Sequence, residues 1–396
     1  MSVTYPKGFR AAGITAGFKP SGRPDLALLV ADDGATAAGV FTTNAFAAAP
    51  VHLCRERLVD GRARAVVVNS GQANAGTGPD GEDDAFVTSA ALARALDAPA
   101  EEILPCSTGL IGARIPVQRM TAAFPELVEA LSPAGGNAFA EAILTTDTVP
   151  KMAVAEGEGF RVGGCAKGVG MIRPDLATML TFVTTDAPVA SAHLRKLTAS
   201  VLEPTFESLT VDACSSTNDT VLLLASGAAG GDSLRPESKR WGILEEAVRE
   251  VAESLLSQLA ADAEGVHHVL EVSVAGAATD EDARVVARGI AESLLVKTAA
   301  FGRDPNPGRF LQAIGSSQVP FAPEDVRVRL GDVVVIDKGA IPPTWDREAA
   351  REVMQAEVVP VSVELGNGTG SRSGCARMLG SDLSYDYVRI NAEYTT

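Results

Sequence analysis

The residues best suited to chemistry surround one Ala-Thr pair. The run KGVGMIRPDLATMLTFVTTDA at 167–187 leads from a Gly-rich segment with a lysine, through a Pro-Asp turn, into an apolar strand whose first polar residue is Thr178. A threonine hydroxyl can act as a nucleophile when its own α-amine serves as the base, and an internal threonine gains that amine only by backbone cleavage. Such an amine has a pKa of about 7.7–8.0, so it can accept a proton near neutral pH. The alternative for Thr178 is an ordinary strand threonine.

Histidine chemistry has little support in this sequence. Of the four histidines, none lies beside a nucleophile motif such as GxSxG, which argues against a Ser-His-Asp triad. His267 and His268 are adjacent, and adjacent residues of a strand point to opposite faces, so the two rings could not easily bind one ion. We therefore expect no metal site.

Two Gly-rich runs resemble phosphate-binding loops only superficially. The run VVVNSGQANAGTG at 66–78 follows an apolar strand, but it lacks a Lys-Ser/Thr ending and GxGxxG spacing. The glycines of GGCAKGVG at 163–170 do not match a dinucleotide fingerprint in register. Tight turns are the favoured interpretation, and a nucleotide site is the weaker alternative.

Short strands and amphipathic helices must position these residues. Strands are predicted at 25–31, 37–46 and 64–71, and a helix with acids in its first turn at 82–96. A second helix is predicted over 242–262, because its apolar residues recur at steps of three or four and form one stripe: Leu244, Val248, Val251, Leu255 and Leu259.

The C-terminal third has its own pattern. A helix capped by Thr279 is predicted over 279–298, and VRVRLGDVVVID predicts a hairpin around Gly331 and Asp332. The run DPNPGR at 304–309 is interpreted as a structured loop. These features predict a main lobe at 1–275 and a smaller C-terminal α/β lobe at 276–396.

Composition narrows the class of protein. The 396 residues are 46% hydrophobic with a formal net charge of -16, so the chain can bury a large core and would repel nucleic acids and anionic membranes. An anionic ligand would need a local cation such as Lys167. The five cysteines are odd in number and widely spaced, which fits a reducing cytoplasm. No signal peptide or membrane span is predicted.

Seven further motifs, in order along the chain, show a family resemblance. With the segment 166–187, the chain resembles the ornithine acetyltransferase family, also called bifunctional glutamate N-acetyltransferases, over nearly its whole length. The motifs are KGFRAAGITAGFK 7–19, VVVNSGQANAGTG 66–78, STGLIG 107–112, TTDTVPK 145–151, STNDTVLLLASGA 216–228, DAEG 262–265 and YVRINAEYTT 387–396. The resemblance implies the ornithine acetyltransferase (DmpA/ArgJ-like) α/β fold, with layered helices and mixed sheets.

The resemblance also implies self-cleavage. The family cuts its precursor before the threonine of the ATML motif, which here lies between Ala177 and Thr178 and would give an alpha chain 1–177 and a beta chain 178–396. Thr178 would then be the nucleophile and its α-amine the base. The family's oxyanion hole maps to the Thr108 hydroxyl and the Gly109 N–H. Pairs of such heterodimers usually associate into a heterotetramer.

The family's substrate contacts carry over to six positions. The resemblance implies that Lys167 pairs with the α-carboxylate of an acetylated amino acid and that Glu264 receives the ammonium group of ornithine. A solvated lysine and a helix-capping glutamate are the alternatives for these two residues. The complete set of matched positions is Thr146, Lys167, Thr178, Glu264, Asn391 and Thr396.

Two departures from the family pattern concern substrate choice. Pro307 stands where the family usually has Trp, and Val266-His267-His268 replaces small, hydroxyl and lysine residues. These changes leave open whether the pathway is arginine biosynthesis or a specialised metabolic route. They leave open, too, whether acetyl-CoA is an additional donor.

The predicted activity is therefore acetyl transfer from N-acetylornithine to glutamate by a ping-pong route without a cofactor. An amidase or aminopeptidase of the same fold, which would hydrolyse its acyl-enzyme, is the first alternative. A non-enzymatic ligand-binding module is the second.

Overall fold

The structure is a computed structural model that describes residues 2–173, 179–366 and 373–393. Its chain forms two compact units. Unit 1 contains the described residues up to Glu207 and the segment Cys214–Leu259, and unit 2 contains Ser208–Ala213 and the described residues from Ala260 onward.

Strands and helices are interspersed along the chain in both units. The strands are β1 (Phe9–Ile14), β2 (Leu26–Phe41), β3 (Arg62–Gln72), β4 (Ile103–Leu110), β5 (Lys151–Gly157), β6 (Phe160–Lys167), β7 (Leu180–Thr185), β8 (Leu209–Thr210), β9 (Thr220–Ala225), β10 (Val269–Ala277), β11 (Arg327–Leu330), β12 (Val333–Ile336), β13 (Val358–Glu364) and β14 (Gly374–Ser381). The helices are α1 (Ala49–Arg57), α2 (Gly78–Leu96), α3 (Val117–Glu129), α4 (Gly136–Ala142), α5 (Ser191–Leu197), α6 (Glu203–Phe206), α7 (Lys239–Ala261), α8 (Asp280–Glu292), α9 (Leu294–Phe301), α10 (Pro307–Gly315), α11 (Arg347–Val353) and α12 (Tyr385–Glu393). Among the described residues, none of these helices has the length and apolar character needed to cross a membrane.

The sheet of unit 1 is folded over on itself. Its strand order is β4-β3-β2-β9-β7-β6-β5, with β1 also paired to β2. In a flat sheet β4 and β6 would lie about 24 Å apart, because neighbouring strands are about 4.8 Å apart. Yet a side chain of β6 is hydrogen-bonded to one of β4. The fold-over occurs in β2, whose register shifts between Val30 and Ala35 around Gly34, a glycine with φ of 80°.

One apolar core lies between the two halves of this folded sheet. Leu29 of β2 and Val66 of β3 share it with Phe182 of β7 and Leu222 of β9. The outer face of the first half packs against α2 and α3, for example through Phe124. Because each half buries both faces, its strands are apolar on both sides, as layered α/β structures require.

Helix α7 covers the outer face of the second half. All five residues of the predicted stripe, from Leu244 to Leu259, are fully buried, which confirms the prediction from their spacing. Gly164 of β6 allows this approach, because a Cβ atom there would lie 2.9 Å from Val251 and 3.0 Å from Leu255.

The predicted strands at 25–31 and 37–46 are one element. The structure joins them in the continuous strand β2, which ends at Phe41, so residues 42–46 lie outside it. The sequence suggested two strands because the polar run around Gly34 interrupts the apolar pattern. That run marks the bulge at which the strand bends instead of a turn between strands.

Unit 2 contains a six-stranded sheet in the order β12-β11-β13-β10-β14-β8. The predicted hairpin at Gly331 is confirmed as β11 and β12, with φ of 54° at that glycine. The Thr279 cap is also confirmed, since its hydroxyl accepts the Asp282 N–H at 3.0 Å. The helix predicted over 279–298 is instead two helices, because Ser293 is extended and caps α9.

The two units divide the chain near residue 260. A boundary at 276 would separate β10 from the sheet in which it is paired on both edges. The earlier segment Ser208–Ala213 joins the same sheet through β8.

Shortening one residue of the α7 stripe tests the packing of unit 1. We expect Leu255→Ala to reduce stability by about 2–5 kcal/mol, because the substitution leaves a cavity against β6. Thermal unfolding of Leu255→Ala beside Glu253→Ala, an exposed residue of the same helix, measures this. Equal melting temperatures for the two variants would contradict the packing.

Candidate active site

Thr108 and Gly109 lie at the end of β4. This strand runs parallel to β3, and the register places Thr108 beside Ser70 and Gly109 beside Gly71. Gly109 has φ of 119°, and a Cβ atom there would lie 2.5 Å from the Gly71 carbonyl carbon. Only glycine fits this close backbone approach, so the Thr-Gly pair has a structural reason for its sequence.

Lys167 brings a buried positive charge to Thr108. It is the last residue of β6, is 2% exposed, and donates from Nζ to the Thr108 hydroxyl at 3.0 Å. An ammonium group only donates, so it occupies a lone pair of the hydroxyl oxygen. The Thr108 proton is therefore directed to a different acceptor, as an oxyanion donor requires.

A polar network supports the Thr108 side of the site. The Asn218 side chain donates to the carbonyl oxygens of Ala73 at 2.6 Å and Ser107 at 2.8 Å. The Ser107 hydroxyl in turn donates to Asn69 at 2.6 Å. Because Asn218 precedes β9 and Ser107 belongs to β4, these bonds hold the two halves of the folded sheet in fixed positions.

Asp147, in the TTD motif, is a buried counter-charge beside Lys167. Its Oδ1 accepts Lys151 Nζ at 2.6 Å and the Gly168 N–H at 2.8 Å, and its Oδ2 accepts the Thr145 N–H at 3.1 Å. Burial alone would raise the pKa of Asp147, but the charges of Lys167 and Lys151 and these hydrogen bonds lower it below the ordinary value. The carboxylate therefore stays ionised at neutral pH.

The predicted cleavage point, Ala177 and Thr178, lies outside the described residues, which resume at Met179. The Met179 N–H donates to Asp219 Oδ1 at 2.7 Å, and its carbonyl accepts the Thr220 N–H at 3.0 Å. Leu180 is paired with Lys167 on one side and with Thr220 on the other. The start of β7 is thus fixed beside the buried lysine.

Within unit 2, Glu264 and Asn391 are neighbours. The Asn391 side chain donates to Glu264 at 2.9 Å and to the Tyr387 carbonyl at 3.1 Å. The loop that carries Glu264 also contacts the start of α12, where the Ser384 hydroxyl donates to the Gly265 carbonyl at 2.6 Å. Glu264 is half-buried, whereas Asn391 is exposed.

The residues that depart from the family pattern have ordinary partners. His267 is 3.1 Å from Asp386, and buried His268 is 2.7 Å from the Ala356 carbonyl. Pro307 is the first residue of α10, a position that suits proline because no helical N–H is needed there.

The structure brings several of the predicted site residues together in pairs. It joins Thr108 to Lys167 and Glu264 to Asn391, whereas half-buried Thr146 precedes Asp147 in the chain. Thr396 lies outside the described residues. The sequence analysis missed the roles of Asp147, Lys151, Asn218 and Asp219. All four lie in the quoted motifs TTDTVPK and STNDTVLLLASGA, where a charged or amide side chain next to a predicted strand was the available signal.

Comparison with known proteins gives a consistent family assignment. The model described as "ArgJ family" matches residues 10–396. The arginine biosynthesis bifunctional protein ArgJ of Synechocystis is 44% identical over 100% of this chain and 98% of its own. The protein of the same name from Parasynechococcus marenigrum is 47% identical over 100% of this chain and 95% of its own.

A solved structure agrees with this assignment. The crystal structure of the arginine biosynthesis bifunctional protein ArgJ from Bacillus halodurans matches with a TM-score of 0.51 and 39% identity. The match covers 54% of this chain and 98% of the solved one, so the solved chain is about half as long.

Removing the Asp147 charge tests the buried ion network. Asp147→Asn leaves Lys151 and Lys167 without this counter-charge, so we expect a loss of stability of about 3–5 kcal/mol at pH 7. Because the folded pKa of Asp147 is lowered, its contribution is present above the unfolded pKa and is lost as the pH falls through the folded pKa. The difference between wild type and variant should therefore shrink in acid.

Denaturant unfolding at pH 7 and at pH 3 measures this difference, with Asp83→Asn, an exposed acid on α2, as control. A difference that stays constant between the two pH values would contradict the ionised state of Asp147.

Proposed function

The chain belongs to the ArgJ family, and on this basis we propose that it is a self-cleaving acetyltransferase that moves the acetyl group of N-acetylornithine to glutamate. The relatives with 100% coverage of this chain are named arginine biosynthesis bifunctional proteins, which supports a role in arginine biosynthesis. The single observation that carries the mechanism is the hydrogen bond from buried Lys167 to Thr108, beside the start of β7.

Cleavage would begin with attack of the Thr178 hydroxyl on the Ala177 carbonyl. The backbone nitrogen leaves as the acyl group moves from nitrogen to oxygen, and water hydrolyses the resulting ester. The products are a carboxylate at Ala177 and a free α-amine at Thr178. The length of the Bacillus halodurans chain, close to that of residues 178–396, supports this processing.

Acetyl transfer then takes place in two similar steps. The Thr178 hydroxyl gives its proton to the α-amine and attacks the acetyl carbonyl of N-acetylornithine, and the amine passes that proton to departing ornithine. The Thr108 hydroxyl and the Gly109 N–H stabilise the oxyanion, a kind of contact worth about 10²–10³ in rate per donor. Glutamate next attacks the acetyl ester by the reverse sequence.

The charges on the described residues suit amino-acid substrates. Lys167 would bind the α-carboxylate, and Glu264 would bind the ammonium group of the ornithine side chain. Thr146, Asn391 and Thr396 complete the proposed contacts. No cofactor is needed, because Thr178 itself carries the acetyl group, and acetyl-CoA is proposed as an additional donor because the relatives are named bifunctional.

The proposed assembly follows from the processing. The two fragments would remain together, because β7 at the start of the second fragment is paired with β6 at the end of the first. We place two such heterodimers in the functional heterotetramer, in the cytoplasm.

Replacing the nucleophile tests the proposal directly. Intact-mass measurement of the wild-type protein should give two fragments, with the second starting at Thr178. Thr178→Ala should give one uncut chain without transfer, because it removes the hydroxyl needed for both reactions. Thr181→Ala, which removes another hydroxyl from β7, is the control and should still be cut.

Two outcomes would count against this function. Transfer by uncut Thr178→Ala would remove Thr178 from the mechanism. Release of acetate from N-acetylornithine at the same rate with and without glutamate would indicate a hydrolase.

Glu264 should discriminate between the two substrates. Glu264→Gln keeps a hydrogen-bond acceptor for Asn391 but removes the charge, so we expect KM for N-acetylornithine to rise about 10-fold or more while KM for glutamate changes little. Steady-state kinetics for each substrate, with exposed Glu348→Gln as control, measures this. Equal increases in both KM values would argue against pairing of Glu264 with the ornithine ammonium.

A further inference from the structure

Asp219 is a buried acid that the mechanism has not yet used. It lies immediately before β9 and is 0% exposed. One carboxyl oxygen accepts the Met179 N–H at 2.7 Å, while the other, Oδ2, is buried without a hydrogen-bond partner among the described residues. Buried polar atoms nearly always have a partner, so an unsatisfied oxygen at this position requires an explanation.

Burial decides the charge state of this carboxyl group. It raises the pKa of Asp219 well above the ordinary value, against the smaller lowering effects of the Met179 N–H, of the Lys167 charge and of the nearby Ser216 hydroxyl. The protonated form is therefore favoured in the uncut chain. Of the charged side chains in the described ranges, Lys167 is the one that acts on Asp219.

The second residue after the proposed cleavage point, Met179, is bound by this carboxyl group. Met179 is held on both sides, by Asp219 at its N–H and by Thr220 at its carbonyl. The backbone nitrogen of Thr178 is three bonds from that of Met179, so standard bond lengths and angles keep the two nitrogens about 2.7–3.7 Å apart whatever the torsion angles. A carboxyl group bound to the second nitrogen can therefore also bind the first when the Thr178 torsion angle turns it to the same side.

We propose that Asp219 is a positioning residue for the N-terminal threonine, in which Oδ1 holds the Met179 N–H and Oδ2 accepts from the α-ammonium group. The assignment rests on the proposed cleavage before Thr178. In the cut chain the positive charge of the ammonium form beside Oδ2 favours the carboxylate, so Asp219 has released its proton to solvent. The amine becomes an ammonium group when it takes the Thr178 hydroxyl proton, and this carboxylate then orients and stabilises it. When the proton passes to the departing amine, Oδ2 continues to hold the neutral α-amine in place.

Asp219→Asn separates this role from a purely structural one. The amide keeps the size and the oxygen that accepts the Met179 N–H, so the variant should fold and cut itself. It loses the anionic partner of the ammonium group, so we expect kcat to fall by about 100-fold, while KM for N-acetylornithine stays within about twofold.

The pH profile supplies a second readout. An anion beside an ammonium group raises the pKa of that ammonium group, so its removal should move the acid limb of kcat/KM to lower pH, by about one unit. Asp219→Glu, which retains the carboxylate, should return the limb to the wild-type position.

The control is a matched acid in unit 2. Asp382 is also buried, with one oxygen accepting a backbone N–H and the other unpartnered among the described residues. Asp382→Asn should leave the acid limb unchanged, even if the protein becomes less stable.

The outcomes distinguish this inference from the proposed function. Wild-type protein that stays uncut would refute the processing itself. If the wild-type protein is cut and the Asp219→Asn variant keeps the wild-type kcat and acid limb, the proposed role of Asp219 is wrong. A variant that folds but is not cut would also overturn that role. If the variant does not fold, the pKa of the wild-type Thr178 amine is measured instead, from the pH dependence of its labelling by an isothiocyanate. An amine pKa at or below about 8 would overturn the inference.

Discussion

The fold-over of the unit 1 sheet at Gly34 is the constraint on which the site depends. It brings the end of β4 to the end of β6, two strands that a flat sheet would hold far apart, so that Lys167 reaches Thr108. The same fold places Asn218 against Ser107 and encloses one apolar core between the two halves. The stability of unit 1 and the geometry of the site therefore depend on the same packing, because the fold that buries the core also brings together the polar residues at the ends of β4 and β6.

Buried charges give the site at the ends of β4 and β6 its preference for anionic ligands. The whole chain is strongly acidic, with a formal charge of -16, yet the interior of unit 1 holds Lys151 and Lys167 almost fully buried. Asp147 supplies one negative charge. These three side chains carry an excess of positive charge, which suits the carboxylates of amino-acid substrates in a protein whose long-range field would repel them.

Sequence patterns predicted local structure well where the signal came from residues close together in the chain. The α7 stripe, the hairpin at Gly331 and the Thr279 cap all depend on neighbouring residues, and all are confirmed. The fold-over of β2 was missed, because a bulge and a turn have similar polar sequences. The helix break at Ser293 was missed for a related reason, since serine suits both a helix surface and a cap.

The sequence predicted only those site residues that family motifs identify. Family resemblance supplied Thr108, Lys167 and Glu264, but no sequence period reveals that Asp147 pairs with Lys151 or that Asp219 holds Met179. Those contacts depend on how the chain folds around the site.

The most direct test of the central claim is the mass of the fragment starting at Thr178 after incubation with N-acetylornithine alone. The account predicts one acetyl group, mapped to Thr178 and lost when glutamate is added. An acetyl group on another residue, or none, would contradict it.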